Sequence, residues 1–204
     1  MNKKKSIVIA CVLALILLIG GVIAYFTDTD TKTNEFTLKD DDVNIKITET
    51  WTPADGLNLH PGATVSKAPS IENESSEGPV YVFAEVVIPC YATTGTTADA
   101  ELFTFTSNTG WTLINTPTID ATSKTKKYVY AYGTASGMTT LAASSTTSTA
   151  VFSNVTVAPT LTKTQKDTAS TTDIVVNAYG IQTDNLGVTA PAAIYNLIKP
   201  GAIV

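Results

Sequence analysis

The stretch PVYVFAEVVIPCY, residues 79–91, decides the fold. Its side chains are apolar at both alternating positions, with Glu85 as the charged exception. Because successive side chains of a strand point to opposite faces of a sheet, this pattern predicts a strand covered on both faces. Pro89 has no backbone N–H to donate to a sheet, so we expect the strand to end there. Glu85 is interpreted as a structural carboxylate that lies at a rim or pairs with a lysine.

Other segments of the chain carry weaker strand patterns, separated by turns rich in Pro, Gly and Thr. The segment VNIKITETW (43–51) alternates apolar and polar side chains, which is typical of a half-buried strand. Further strands are predicted at LFTFTS (102–107), GWTLI (110–114), KKYVYAYGT (126–134), AVFSNVTVAP (150–159) and TDIVVNAYGIQT (172–183), the last as a central strand. The tail 191–204 is predicted to be a short helix that closes one end. About eight strands with almost no helix favour an all-β, two-sheet, jelly-roll-like sandwich over residues 39–204.

A secretory signal helix is predicted at residues 1–24. Lys3, Lys4 and Lys5 precede a long apolar run, and cleavage is expected between Ala24 and Tyr25. The length of the run leaves open the alternative that the segment stays as a membrane anchor.

The composition argues against nucleic acid as a partner and against an internal disulfide in the mature chain. The chain has 13 lysines, no arginine and 18 acidic residues, which argues against nucleic acid. Once the leader with Cys11 is removed, Cys90 has no partner for an internal disulfide and is interpreted as a small buried residue. Threonine, at 36 of 204 residues, favours long solvent-facing strand surfaces.

The segment after the predicted cleavage site, residues 25–38, is predicted to be an extended arm. Threonines alternate along it, and its apolar side chains cluster at the two ends of one face. No neighbouring segment offers this arm an obvious strand partner, so we expect it to add to the sheet of another subunit. The residues predicted to carry the donated strand are Tyr25, Phe26, Thr27, Asp28, Phe36 and Leu38.

The residues of the chain do not make a recognisable catalytic motif. His60 is the single histidine, whereas a zinc protease of the H-E-x-x-H type needs two histidines one helical turn apart. The acidic run that begins at Asp28 lacks the glycine and glutamate of a calcium-binding EF-hand. We therefore predict a protein that is not an enzyme and that has no metal site and no cofactor.

Three stretches resemble the TasA/camelysin family of secreted, fibre-forming biofilm proteins. They are the leader junction GGVIAYFTDTDTKTNEFTL (20–38), the block WTPADGLNLHPGATVSKAPSIEN (51–73) with VYVFAEVVIP (80–89), and VFSNVTV (151–157) with DIVVNAYGIQTDNL (173–186). The resemblance implies a jelly-roll subunit, secreted to the extracellular matrix or cell surface, whose freed arm completes the sheet of the next copy. It also implies a dedicated signal peptidase as a partner, and it leaves open a matrix protein that anchors or nucleates the fibre.

Two alternatives remain at this stage. One is a secreted metalloprotease, as in the camelysin label, and the other is a monomeric cell-surface adhesin.

Overall fold

The structure is a computed structural model that describes residues 43–76, 78–91, 101–169 and 171–203. The predicted signal helix (1–24), the cleavage site and the predicted arm (25–38) lie outside the described residues, as does most of the loop before Glu101. The boundaries 1–24, 25–38 and 39–204 therefore stay predictions.

The first sheet is antiparallel, and its long central strands are β4 and β8. Its strands follow the order β12-β4-β8-β6, and two short strands, β7 and β9, also pair with β8. Their bounds are β4 Val80–Pro89, β6 Trp111–Leu113, β7 Ile119–Asp120, β8 Thr125–Thr134, β9 Gly137–Met138 and β12 Val175–Gln182. The predicted strand 79–91 is confirmed, because most of β4 is buried and it has a partner along both edges.

The second sheet is built around two long, bent lines of strand segments that lie side by side. Its strands are β1 Ile45–Thr48, β2 Thr64–Ser66, β3 Ser70–Asn73, β5 Phe103–Ser107, β10 Ser145–Thr146 and β11 Phe152–Val157. One line consists of β3 and β2, and the other consists of β10 and β11. β3 pairs with β10, and β2 pairs with β11. Between these pairs the backbone N–H of Val151 donates to the carbonyl of Pro69 at 2.8 Å, and that of Lys67 donates to the carbonyl of Ser153 at 3.1 Å. These bonds join the six strands into one layer, with β1 on one side of the long pair and β5 on the other.

The main hydrophobic core lies between the two sheets. One face of β4, with Val82, Ala84 and Val86, packs with Phe152 and Val155 of β11. Full burial of each such side chain contributes about 1.5–3 kcal/mol. This arrangement confirms the predicted all-β, two-sheet, jelly-roll-like sandwich.

The three tyrosines of β8 form a packed sheet face. Tyr130 and Tyr132 are buried in the main core, and Tyr128 packs against it. The ring centroid of Phe105, from the opposite sheet, lies 5.3 Å from that of Tyr128, with the planes at 77°. Edge-to-face pairs of this kind add specificity to the packing of the two sheets.

A short C-terminal helix, α2 (Pro191–Ile198), covers the outer face of the first sheet. Ile194 and Tyr195 of this helix pack with Phe83 of β4 and with Val129 and Ala131 of β8. The predicted helix is confirmed, but the prediction that it closes one end is wrong. It lies on the outer face because Phe83 of β4 and Val129 and Ala131 of β8, which point away from the sandwich, are apolar.

A second helix, α1 (Lys163–Thr168), was not predicted. Its N-terminus carries a capping box, in which Thr162 Oγ1 accepts from the Gln165 N–H and Gln165 Oε1 accepts from the Thr162 N–H. Within the described ranges, neither helix has the length and apolar character that crossing a bilayer would demand.

Candidate functional site

The candidate site in the described part of the chain is a side of the sandwich where both sheets have an unpaired edge. β12 stands at the end of its sheet and, among the described residues, pairs with β4 alone. Most of its residues are only partly buried, and Val175 is 46% exposed. The prediction of a central strand at 172–183 is therefore wrong for the described residues. The apolar composition of Ile174 to Val176 suggested burial, but these side chains pack on the core from an edge position.

The second sheet is incomplete on the same side. β1 pairs with β3, and Thr48 of β1 lies opposite Ser70 in the register. β2 continues the line of β3 and pairs with β11 on one edge, while no described strand pairs with its other edge. Among the described strands, the second sheet thus has β1 beside one half of its long strand and an unpaired edge beside the other half.

β1 and β12 approach closely where the sandwich is closed. A Cβ atom built on Gly180 of β12 would lie 2.9 Å from Ile45 Cγ2 and 3.0 Å from Val43 Cγ1. These contacts are too short for an undisturbed side chain, so Gly180 is the residue that lets the two strands meet.

Beyond β1, a groove of about 630 Å³ opens into the sandwich. Its walls come from β2, β5, β11, the segment before β12 and the loop after β1. The apolar side chains that line it include Trp51, Leu57, Val65, Phe103, Val155 and Ile174. Leu57 is 67% exposed, which is unusual for a large apolar side chain.

A polar group at the edge of the groove also lacks a partner. Glu49 Oε2 accepts a hydrogen bond from Lys67 Nζ at 2.8 Å, and Lys67 Nζ lies 5.2 Å from the centroid of the Trp51 ring. The other oxygen of that carboxylate, Oε1, is buried and has no hydrogen-bond partner among the described residues. A buried acceptor of this kind costs free energy until a donor reaches it. The groove therefore has apolar walls, and Glu49, which is bonded to the groove residue Lys67, keeps an acceptor without a partner among the described residues.

A separate polar cluster surrounds Glu85 beneath helix α2. Glu85 is 3% exposed, and its carboxylate accepts hydrogen bonds from Tyr195 Oη, from Tyr179 Oη at 3.1 Å and from Lys199 Nζ at 3.0 Å. Lys127 Nζ lies 3.5 Å away. The prediction that Glu85 pairs with a lysine is confirmed, although the residue is buried at the centre of β4.

The charges of this cluster are fixed by their mutual contacts. Burial alone raises the pKa of Glu85, but the hydrogen bonds from Tyr195 and Lys199 and the charge of Lys127 outweigh it and lower the pKa overall. Burial and the hydrogen bond to Glu85 raise the pKa of Tyr195. Glu85 is thus an ionised carboxylate with its acceptor sites filled, which suits a structural role and not proton transfer.

A second buried ion pair lies at the end of the first sheet. Lys126 Nζ donates to Glu101 Oε1 at 2.7 Å, and Tyr128 Oη donates to the same oxygen. Cys90 is free and buried nearby, as predicted, and burial followed by the charge of Glu101 raises the pKa of its thiol to about 11. A thiol with that pKa is a poor nucleophile at neutral pH.

The residues that the structure describes do not fit a catalytic zinc ion. His60, the single histidine of the chain, lies exposed in the loop before β2. No group of three or more His, Cys, Asp or Glu side chains that could hold a metal ion occurs in the described part. No step through a metal is therefore derived for this chain.

Sequence reasoning identified some of these residues and missed others. It placed the predicted site on Ala24, Tyr25, Phe26, Thr27, Asp28, Phe36 and Leu38, which all lie outside the described residues. It did not identify the groove, because its lining side chains come from five separate parts of the chain. Local alternation was a signal for wall residues in β2, with Val65 between Thr64 and Ser66, and in the predicted strands that contain Phe103 and Val155.

Comparison with known proteins gives one match. A family model described as camelysin metallo-endopeptidase matches residues 1–87, a range that includes the predicted leader, the predicted arm and β1 to most of β4. No curated protein and no solved structure matches the chain. Over residues 1–87 the match confirms the resemblance to the TasA/camelysin family that the sequence predicts.

Proposed function

We propose that this protein is a secreted structural subunit that polymerises into extracellular fibres of a biofilm matrix. Each copy donates residues 25–38, as an extended strand, to the open side of the next copy. The protein acts without catalysis and without a cofactor. Its partners are other copies of the same chain, the signal peptidase that frees Tyr25, and a matrix protein that anchors or nucleates the fibre.

The observation that carries this proposal is the open edge of β2 beside the apolar groove. A strand added there would continue the line of β1 and would gain backbone hydrogen bonds to β2. Alternate apolar side chains of the strand would enter the groove and cover exposed side chains such as Leu57. A backbone N–H of the added strand would also be a suitable donor for Glu49 Oε1.

The free energy of such an addition comes from backbone hydrogen bonds and buried apolar side chains, and the cost of association opposes it. A strand added beside the three residues of β2 gains roughly 0.5–1.5 kcal/mol from each backbone hydrogen bond that it makes. Burial of Phe26, Phe36 and Leu38 adds about 1.5–3 kcal/mol for each side chain. The opposing cost of association is on the order of 4–15 kcal/mol. Because the arm and the groove are different surfaces of one subunit, the contact is head-to-tail and propagates into a filament.

The decisive test compares three forms of the secreted protein by electron microscopy and analytical ultracentrifugation. Deletion of residues 25–38 is expected to leave a folded monomer that makes no filaments. Leu57→Glu, at the groove, is expected to weaken assembly while the circular dichroism spectrum stays unchanged. Leu197→Glu is the matched control, since Leu197 is 48% exposed on helix α2 and does not line the groove. Filaments formed by the deleted form would refute the proposal.

The description of the matched family model as a metallo-endopeptidase supplies a second candidate, a secreted protease. It predicts cleavage of a casein-type substrate that is abolished both by a chelator and by His60→Ala. An N-terminus at Tyr25, found by mass spectrometry of the secreted protein, would separately exclude an adhesin held by an uncleaved anchor.

A further inference from the structure

The outer face of the second sheet carries a groove lined by hydroxyl and amide side chains. It has a volume of about 400 Å³ and crosses β2, β11 and β5. The polar side chains that the argument uses are Thr64, Thr104, Thr106, Ser153, Asn154 and Thr156. Five of these six side chains are exposed, and Thr156 is half-buried.

The threonines form a row across the three strands. Thr64 pairs with Thr156 in the register of β2 and β11, and Thr156 pairs with Thr104 in the register of β11 and β5. The Oγ1 atoms of Thr64 and Thr156 are 2.8 Å apart, so one hydroxyl donates to the other. This contact fixes the orientation of both side chains on the sheet surface.

Other polar groups of the same groove keep unused hydrogen-bonding capacity. The Thr106 hydroxyl and the Asn154 side-chain amide make no hydrogen bond with the residues that the structure describes. A hydroxyl and a side-chain amide each carry a hydrogen-bond donor and an acceptor, so Thr106 and Asn154 together offer donors and acceptors in one small area.

The charge of the groove is the second distinguishing feature. Among the residues that the structure describes, no lysine, aspartate or glutamate lines it, although the whole chain carries a formal net charge of −5. An acidic protein repels anionic chains, and an uncharged groove has no cation to attract them. The groove therefore matches a ligand that is uncharged and covered with hydroxyl groups.

We propose that this groove binds a neutral polysaccharide chain. Sugar hydroxyls would exchange hydrogen bonds with Thr104, Thr106 and Asn154 along the exposed sheet. Phe105 is the aromatic residue among the described lining residues, and its ring packs inward, with its centroid 4.8 Å from that of Phe152. Binding of the polysaccharide to one protein copy is therefore weak. In a fibre of many copies, the repeated grooves would raise the overall affinity for one polysaccharide chain. The proposal itself does not depend on the donated arm.

The test measures binding of a fluorescein-labelled neutral β-glucan oligosaccharide to the secreted protein by fluorescence anisotropy. A labelled oligogalacturonate serves as the anionic comparison. The double variant Thr104→Val/Thr106→Val keeps side-chain shape and strand propensity while removing two hydroxyls. Its matched control is Thr134→Val/Thr146→Val, which alters two exposed strand threonines outside the groove.

We expect saturable binding of the neutral glycan, weakened about tenfold or more in the groove variant and unchanged in the control. Thermal unfolding followed by circular dichroism confirms that both variants are folded. Absence of saturable binding by the unaltered protein, equal binding by the two variants, or tighter binding of oligogalacturonate would each overturn the proposal. Loss of self-assembly in the groove variant without any glycan binding would instead identify this face as a contact between copies.

Discussion

Lys199 Nζ lies 3.0 Å from Glu85 Oε1, so the end of helix α2 is tied to the middle of strand β4, 114 residues earlier in the chain. Glu85 is buried, whereas Lys199 keeps about a third of its side chain in solvent. Lys199 Nζ also lies 4.0 Å from the centroid of the Tyr179 ring, on the edge strand β12. One ammonium group therefore holds the helix, the central strand and the edge strand together.

Replacement of Glu85 by Gln is expected to destabilise the protein by about 1–3 kcal/mol. The amide keeps the shape of the side chain but leaves Lys199 and Lys127 without their negative partner. Urea unfolding followed by tryptophan fluorescence measures the change. Glu74→Gln is the control, because the Glu74–Lys46 pair is exposed, and we expect no more than about 1 kcal/mol there. Equal losses in the two variants would contradict the structural importance assigned to Glu85.

Stability is expected to fall as the solution is acidified. The pKa of Glu85 is lowered in the folded state from its ordinary value of 4.5. The stabilisation by its charge is therefore fully present above pH 4.5 and is lost as pH falls through the lower, folded-state value. Melting temperatures measured across this range should decrease less steeply in Glu85→Gln than in the unaltered protein. Identical slopes would show that other carboxylates dominate the acid response.

The thiol of Cys90 is expected to resist alkylation in the folded protein. Its pKa of about 11 leaves roughly 0.1% thiolate at pH 8, and the sulfur is also buried. Iodoacetamide followed by peptide mass spectrometry should show little modification of Cys90 under native conditions and complete modification in guanidinium. Rapid labelling of the native protein would show that this end of the first sheet opens readily.

Gly180→Ala is expected to destabilise the protein by about 1–3 kcal/mol through overpacking between β12 and β1. The added methyl group would meet Ile45 and Val43 at 2.9–3.0 Å. Gly137→Ala in β9 is the matched control, because a Cβ there meets nothing within 4 Å. Thermal unfolding compares the two variants. A neutral effect at Gly180 would mean that β1 can shift away from β12 without loss.

The sequence predicted those elements whose pattern is local. β4 was recognisable because thirteen consecutive residues contain a single charged side chain. The predicted strand 126–134 contains β8, where Tyr128, Tyr130 and Tyr132 alternate and so share one face. Helix α1 also had a local signal, Thr162 followed three residues later by Gln165, but the threonine-rich surroundings favoured a strand or loop.

The features that the sequence did not predict depend on which elements become neighbours. The edge position of β12 cannot be distinguished from a central position by composition alone, since Ile174 and Val176 contact the core in either case. The cluster around Glu85 joins residues from β4, β8, β12 and the C-terminal helix, and nothing in the spacing of these residues indicates that they meet. Placement of helix α2 on the outer face had a partial signal, because Phe83 and Val129 add apolar surface on the second face of their strands.

The long bent strand pair also has a kinetic consequence. Thr64 and Thr156 are 92 residues apart in the chain, yet their side chains touch across β2 and β11. Closing so large a loop lowers the entropy of the chain before stabilising contacts form. Proteins dominated by contacts between distant residues therefore fold slowly. During synthesis β4 is made before β11, so the apolar inner face of β4 stays exposed until β11 has been made. We therefore expect this protein to refold slowly in a stopped-flow experiment.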